Sequence, residues 1–298
     1  MRKNKDGSHS MRLDRSFYEV RSSRIPKHFH GAVVALIADV HNCLLGPEHE
    51  TLMDALRSVG PDYVMAAGDM IVGSEKCSRE NALLLFEKLT DAGYPVYYGM
   101  GNHELKMEER SGPAKEMFRD FLNQCRQLGI RLLINESVML RRGEDEIQVT
   151  GVQIGPEYYE RLKKIQMDPS YLNRLAGIPK DGVYQILLAH NPVFHTAYAQ
   201  WGADLILSGH MHGGLFRLPL IGGVISPQYI PFPKYDYGRF QEGKSTLILS
   251  RGLGSHTMSL RFLHNNPEVV FIRLIRECEN GTVRKKPDRN EAAKWQYR

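Results

Sequence analysis

The chain lacks an apolar stretch able to span a bilayer: its run Ala32 to Ala38 falls far short of the roughly 20 residues that a spanning helix needs. No apolar signal core precedes that run. The first thirty residues are polar and basic, so no signal peptide is expected, and the expected location is cytoplasmic, with contact at the inner face of a membrane left open. No CxxC pair occurs. The four cysteines, Cys43, Cys77, Cys125 and Cys278, are widely separated, which argues against a disulfide framework or a zinc ribbon and for reduced thiols. No Ser/Gly-rich linker divides the sequence, and no zinc finger or aromatic RNA-binding strand is recognisable. What remains is ordinary globular composition, 42% hydrophobic and 24% charged over 298 residues, enough for a large core. The formal net charge is +5. Basic residues gather at the ends, at Arg2, Lys3 and Lys5 and again at Arg284, Lys285, Lys286, Arg289, Lys294 and Arg298. Such a balance suits anionic substrates, lipid surfaces or nucleic acid, although solvated tails are the ordinary reading.

Short apolar runs rich in Val, Ile, Leu, Ala and Tyr predict buried strands at Ala32 to Ala38, Tyr63 to Ala67, Val96 to Met100, Gln185 to Ala189 and Ala203 to Ser208. Helical spacing lies between them: Leu52, Ala55, Leu56 and Val59; Leu84, Leu85, Lys88 and Leu89; Met117, Phe118, Phe121, Leu122 and Cys125. Strand alternating with helix implies βαβ units and a largely parallel sheet. Glu136 to Arg141 and Ile147 to Ile154 flank the polar turn Arg142-Gly143-Glu144-Asp145 and predict a hairpin. Ser245 to Ser250 and Glu268 to Leu274 are expected to complete a second sheet. The expected fold class is α/β, one domain with two stacked sheets and helices outside.

Five polar motifs each follow one of these strands: Asp39-Val40-His41, Gly68-Asp69, Gly101-Asn102-His103-Glu104, His190-Asn191-Pro192 and Gly209-His210-Met211-His212. Ligands of open α/β sheets bind beyond the carboxyl ends of the strands, so motifs placed there converge on one crevice. Hydrolysing a phosphoester needs a strong nucleophile and neutralisation of the phosphoryl oxygens, and two metals about 3.5–4 Å apart supply both. Asp39, His41, Asp69, Asn102, His190, His210 and His212 are oxygen and imidazole donors with no thiolate among them. That set suits Mn, Fe, Zn, Co or Ni better than Cu(I), Mg or Ca. Asp39 and His41 stand two apart and point the same way from an extended segment. Gly68, Gly101 and Gly209 precede ligand-type residues where the backbone turns sharply. Each motif alone is weak, and His190 alone would read as a structural histidine; five in a fixed order at strand ends are a different matter.

These residues resemble the calcineurin-like metallophosphoesterase family, whose pattern is DxH, GD, GNH[DE], H and GHxH in that order. The resemblance covers about Ala32 to Gly214 by motif and, more loosely, the chain to Leu274. It implies a four-layer αββα sandwich of two mixed sheets flanked by helices. Three parts follow: residues 1–30 as an N-terminal extension, 31–276 as the metallophosphoesterase domain and 277–298 as a basic tail. By carry-over, Asp39, His41, Asp69 and His212 hold one divalent transition metal, Mn first. Asp69 bridges to a second, completed by Asn102, His190 and His210. His103 and Asp69 are the catalytic residues: His103 assists the leaving group rather than binding metal, while a metal-bridging hydroxide attacks phosphorus. Glu104 is expected to orient His103.

Tyr18-Glu19-Val20, Ile25-Pro26, His212-Gly213-Gly214 with Arg217-Leu218-Pro219, Arg251-Gly252-Leu253-Gly254, Arg261 and Asn265-Asn266-Pro267-Glu268 are similar to a bacterial phosphodiesterase branch of the family. Ala38, Val72 and Leu215 depart from its usual Ser, Asp and Gln, and none removes a ligand. Arg217 and His256 are expected near substrate. The proline-rich segment Leu215 to Tyr237 cannot form a long helix; its Phe216, Ile221, Ile225, Ile230 and Phe232 either line a wall for a lipid or nucleoside portion or simply pack. The expected partner is a small-molecule or lipid-linked phosphoester, with nucleic acid not favoured. A phosphomonoesterase, a nuclease and a non-catalytic scaffold are the competing readings.

Overall fold

The structure is a computed structural model that describes residues 12–163, 165–214, 216–218, 222–254 and 266–277. Among these residues the strands are β1 (Asp14–Ser22), β2 (Val33–Ile37), β3 (Tyr63–Ala67), β4 (Val96–Gly99), β5 (Arg131–Leu133), β6 (Glu136–Arg142), β7 (Asp145–Val152), β8 (Tyr184–Ala189), β9 (Leu205–Ser208), β10 (Phe216–Leu218), β11 (Gly222–Ile225), β12 (Gly238–Glu242), β13 (Ser245–Leu249) and β14 (Glu268–Arg276). Its helices are α1 (Glu50–Val59), α2 (Glu80–Asp91), α3 (Asn102–Glu108), α4 (Pro113–Gln127), α5 (Pro169–Ala176) and α6 (His195–Trp201).

Among the described residues, two six-stranded sheets run in the orders β1-β14-β2-β3-β4-β5 and β12-β13-β9-β8-β7-β6, and β10 pairs with β11. Both large sheets are mixed. β2, β3, β4 and β5 are mutually parallel while β14 is antiparallel to β2; β7, β8, β9 and β13 are parallel, with antiparallel edges at β6 and β12.

Period-two alternation explains the layers. Along β2, Val34 and Leu36 face the second sheet, whereas Ala35 and Ile37 face helices α1, α2 and α4. Along β8, Ile186 and Leu188 face the first sheet, whereas Leu187 and Ala189 pack against α5 and α6. Successive strand side chains point to opposite faces, so a strand apolar on both faces must be covered twice. The result is three apolar layers between four structural ones, the αββα sandwich expected from the pattern.

Five of the strands were not readable as such. β1 lies inside the segment expected as an N-terminal extension and pairs in parallel with β14, from Asp14 opposite Glu268 to Ser22 opposite Arg276. Its sequence Asp-Arg-Ser-Phe-Tyr-Glu-Val-Arg-Ser is largely polar because an edge strand keeps much of its surface in water. β5 has three residues, β10 and β11 pair with each other, and β12 is an edge strand on the neighbouring β13. Helix α2 is rotated from the expected face: Ala82, Leu85, Phe86 and Leu89 are buried, while Lys88 reaches Glu48 at 3.1 Å and Glu50 at 3.4 Å. No helix among the described residues is long and apolar enough to cross a membrane.

Candidate metal centre

All five motif strands, β2, β3, β4, β8 and β9, end at one crevice between the two sheets. Their loops are knitted by backbone bonds: Asp39 N–H to the Gly68 carbonyl at 3.0 Å, His41 N–H to the Asp69 carbonyl at 3.0 Å, and Gly209 N–H to the His190 carbonyl at 3.2 Å. Asp39, His41, Asp69, His210 and His212 all hold left-handed backbone, with φ of 51°, 48°, 54°, 73° and 49°. Non-glycine residues rarely adopt that conformation, and such strain gathers at functional sites. Close approach sets the glycines. A Cβ on Gly101 would stand 2.2 Å from Asp69 Oδ1, and one on Gly252 would stand 2.7 Å from Asp39 Cβ. The Arg251-Gly252-Leu253-Gly254 turn is therefore the backing of Asp39, with Gly254 N–H bonded to the Asp39 carbonyl at 2.7 Å.

Asp39, His41 and His212 form one group of donors, and Asp69, His190 and His210 form another; within each, ligand atoms lie within 4.8 Å of one another. His41, Asp69 and His103 form a third. The His41 and His212 Nε2 atoms are 3.2 Å apart, and His212 Nε2 is 3.3 Å from Asp39 Oδ1. His190 Nε2 lies 3.1 Å from Asp69 Oδ2 and 3.7 Å from Asp39 Oδ1. Each carboxylate is aimed by a backbone donor. His210 N–H donates to Asp39 at 3.0 Å, and His103 N–H donates to Asp69 Oδ1 at 2.8 Å, which leaves Oδ2 toward the histidines. His190 Nδ1 donates to the Ala67 carbonyl at 2.7 Å. Since a carbonyl only accepts, the neutral ring keeps its bare lone pair on Nε2, the tautomer a metal ligand needs.

These residues fit cations. Asn102 Oδ1 is buried and has no hydrogen-bond partner among the described residues, a costly state unless something electropositive meets it. Burial, opposed by His190 and reinforced by Asp69, pushes the Asp39 carboxyl up to about 7. Burial also disfavours charge on His190, but Asp69 and Asp39 outweigh it and raise the imidazole to about 10. Asp69 is held well below the carboxylate range because His190, His103 and His41 outweigh its desolvation. Buried carboxylates that hold a proton on imidazole in this way would hold a divalent transition metal in its place, since carboxylate with imidazole is the donor set such metals take.

Two neighbours were not foreseen. Gly73 N–H donates to His103 Nδ1 at 2.8 Å, so the neutral His103 carries its proton on Nε2, 3.9 Å from Asp69 Oδ2. A backbone donor leaves no sequence signature. Tyr159 sets its ring edge-on to His210 at 5.2 Å between centroids and, with Asn102, Leu105, Lys106, Pro156 and Arg161, lines a cleft of about 420 Å³. Glu104, expected to orient His103, instead accepts the backbone N–H groups of Asp69, Met70, Ile71 and Gly101 at 2.9, 2.9, 3.2 and 2.9 Å and the Tyr98 hydroxyl at 2.7 Å. His49 and His195 are buried away from the site: His49 meets the Asn81 carbonyl at 2.8 Å, and His195 meets the Tyr235 ring. Of the two residues expected near substrate, Arg217 lies on β10 with its side chain outside the described residues, and His256 lies outside them altogether.

A four-layer sandwich with carboxylates and imidazoles converging beyond its parallel strands is the architecture of a metal-dependent phosphoesterase. The chain belongs to the calcineurin-like phosphoesterase family, whose sequence profile matches residues 32–214. It is similar to the uncharacterized metallophosphoesterase YkuE of Bacillus subtilis, 24% identical over 88% of this chain and 85% of that protein. It is also similar to the Bacillus subtilis protein YpbG, 27% identical over 81% of this chain and 80% of that one. Phosphodiesterase YaeI of Escherichia coli is 24% identical over 72% of this chain and 71% of its own length. The protein is thus a metal-dependent phosphoester hydrolase of the branch that includes YkuE and YaeI.

Proposed function

We propose that the protein is a phosphodiesterase acting on a small-molecule or lipid-linked diester with two divalent transition-metal ions. Manganese is the first metal to test, with iron, zinc, cobalt or nickel as alternatives. Asp39, His41, Asp69 and His212 would hold one ion, and Asp69, Asn102, His190 and His210 the other. The two donor groups and the bare Asn102 oxygen support this division. Bound there, divalent cations lower the pKa of water and neutralise charge on phosphoryl oxygens.

The chain's own residues do the rest. Asp69 is held by the His103 N–H through Oδ1, which turns Oδ2 toward His190, and its carboxylate would serve the metals from there. His103, fixed by Gly73, presents its Nε2 proton to a phosphoryl or leaving-group oxygen. Backbone donors and buried carboxylates keep these groups in place before substrate arrives, which makes their electrostatics effective.

The observation that carries the diester reading is the cleft beside Asn102. Leu105, Pro156 and Tyr159 give it apolar surface next to the reacting centre, which suits a second esterified alcohol, something a monoester lacks. The similarity to phosphodiesterase YaeI supports the same reading. The test is hydrolysis of bis-p-nitrophenyl phosphate beside p-nitrophenyl phosphate, after chelation and reloading with manganese. The diester should show the higher kcat/KM, and turnover should return with metal. A reversed preference would make the protein a monoesterase.

A further inference from the structure

Asn191 belongs to one of the five motifs and is wholly buried, yet it stands in neither group of metal donors. Its side chain acts on a neighbouring loop instead. Asn191 Oδ1 accepts the Val193 N–H at 3.1 Å, and Asn191 Nδ2 donates to the Tyr158 carbonyl at 3.1 Å. The Gln228 amide donates to the same carbonyl at 3.0 Å. The Tyr158 ring is held as well, 5.0 Å from Tyr171 and 5.1 Å from Phe194 between centroids. The short 3-10 turn Pro156–Tyr159 is thus fixed by its carbonyl and by its packing, and a group so fixed is preorganised for whatever meets it.

The residue delivered by this turn is Tyr159. Its ring stands at 73° to that of His210, with 5.2 Å between centroids, and it lines the cleft together with Asn102. His210 and Asn102 are both assigned to the second metal, so Tyr159 is packed on one of its candidate ligands and faces the same cleft as the other. Nearby tyrosines use their hydroxyls within the protein. Tyr98 donates to Glu104 at 2.7 Å, Tyr171 accepts the Gly155 N–H at 3.0 Å, and Tyr198 donates to the Asn191 carbonyl at 3.0 Å. The Tyr159 hydroxyl has no hydrogen-bond partner among the described residues, although the residue is half-buried. Covered polar groups are ordinarily bonded, and a phenol, titrating near pH 10, is a donor at neutral pH. The charged residues of the cleft, Lys106 and Arg161 against Glu109 and Glu160, offset one another, which leaves the neutral phenol as the uncommitted donor beside the candidate metal ligands.

We infer that Tyr159 contacts substrate, its hydroxyl donating to a phosphoryl oxygen of the bound ester while its ring walls the cleft against the second alcohol. An O–H bond to an anionic oxygen is among the stronger hydrogen bonds. The part that concerns the second alcohol rests on the phosphodiesterase reading; the hydroxyl contact does not, because mono- and diesters share the phosphoryl oxygen.

The test compares Tyr159→Phe and Tyr159→Leu with the wild type on bis-p-nitrophenyl phosphate and p-nitrophenyl phosphate after manganese loading, with metal content and melting temperature measured on the same samples. Tyr159→Phe keeps the ring against His210 and loses only the hydroxyl. It should hold metal and melt as the wild type does, and its kcat/KM should fall about tenfold or more on both esters. Tyr159→Leu should lose further activity on the diester alone. A Tyr159→Phe enzyme equal to the wild type on both esters would overturn the inference. So would loss of metal in that variant, since Tyr159 would then support His210 rather than touch substrate. A wild type that prefers the monoester, with Tyr159→Phe still impaired on it, would refute the phosphodiesterase reading and leave the hydroxyl contact standing.

Discussion

The Glu104 carboxylate receives the Asp69 backbone N–H at 2.9 Å, so a buried side chain on α3 sets the loop that carries the shared metal-ligand candidate. The same carboxylate binds Met70, Ile71, Gly101 and Tyr98. As the third residue of α3 it satisfies the N–H before the helix, while tying that helix to the β3 loop. Burial and the neighbouring Asp69 both push its carboxyl upward, and five donors compensate.

Replacing Glu104 should therefore loosen two loops together. Glu104→Ala leaves several buried N–H groups unsatisfied and should cost about 3 kcal/mol or more. Tyr98→Phe loses one bond and should cost about 1 kcal/mol. Denaturant unfolding of the chelated proteins measures both. A Glu104→Ala variant as stable as the wild type would refute the anchoring role.

Asp69→Asn should lose metal and activity together, because it removes the carboxylate proposed to serve both metals. Metal content by mass spectrometry and turnover of bis-p-nitrophenyl phosphate check this. Two retained ions with full turnover would contradict the assignment.

His103→Ala should keep its metals yet lower turnover by about 10²–10⁴-fold, the usual weight of a proton-donating side chain. Loss of metal in that variant would make His103 a ligand instead.

Metal removal should lower thermal stability. Ions that bind only the folded state stabilise it by mass action. Melting curves before and after chelation should separate, and manganese should restore the higher melting temperature. Coincident curves would mean that the folded chain holds no metal.

Acid should weaken the fold through His49. Burial lowers its pKa below the ordinary histidine value, so at mildly acidic pH the unfolded chain binds a proton that the folded chain refuses. Stability from this group is therefore full above about pH 6.5 and declines as pH falls below it. His49→Gln should flatten that part of the stability-versus-pH curve relative to wild type, as urea unfolding at pH 8 and pH 5 would show. An unchanged slope would remove His49 from the account.

Much of this architecture could be read without coordinates, for a definite reason. β2, β3, β8 and β9 are apolar on both faces because each lies between two covered layers, and that leaves uninterrupted runs in the sequence. The polar motifs stand where those runs stop. β1 and β12 escaped notice because edge strands are half polar, and β5 because three residues carry no period. Glu104 was visible as a buried-site candidate, but its partners were not. Whether a carboxylate three residues into a helix meets an imidazole or a set of amides depends on how closely the next loop approaches.

By itself the sequence determined the residue types available for chemistry, their order and the strand ends that bear them, since composition and periodicity are local properties of the chain. Only the tertiary structure decided which donors gather around Asp69, that a Gly73 amide sets the His103 tautomer, and that the Leu162 amide meets the Gln228 carbonyl. Those relationships join residues from 30 to more than 100 positions apart, and contacts of that kind exist only once two sheets have packed face to face.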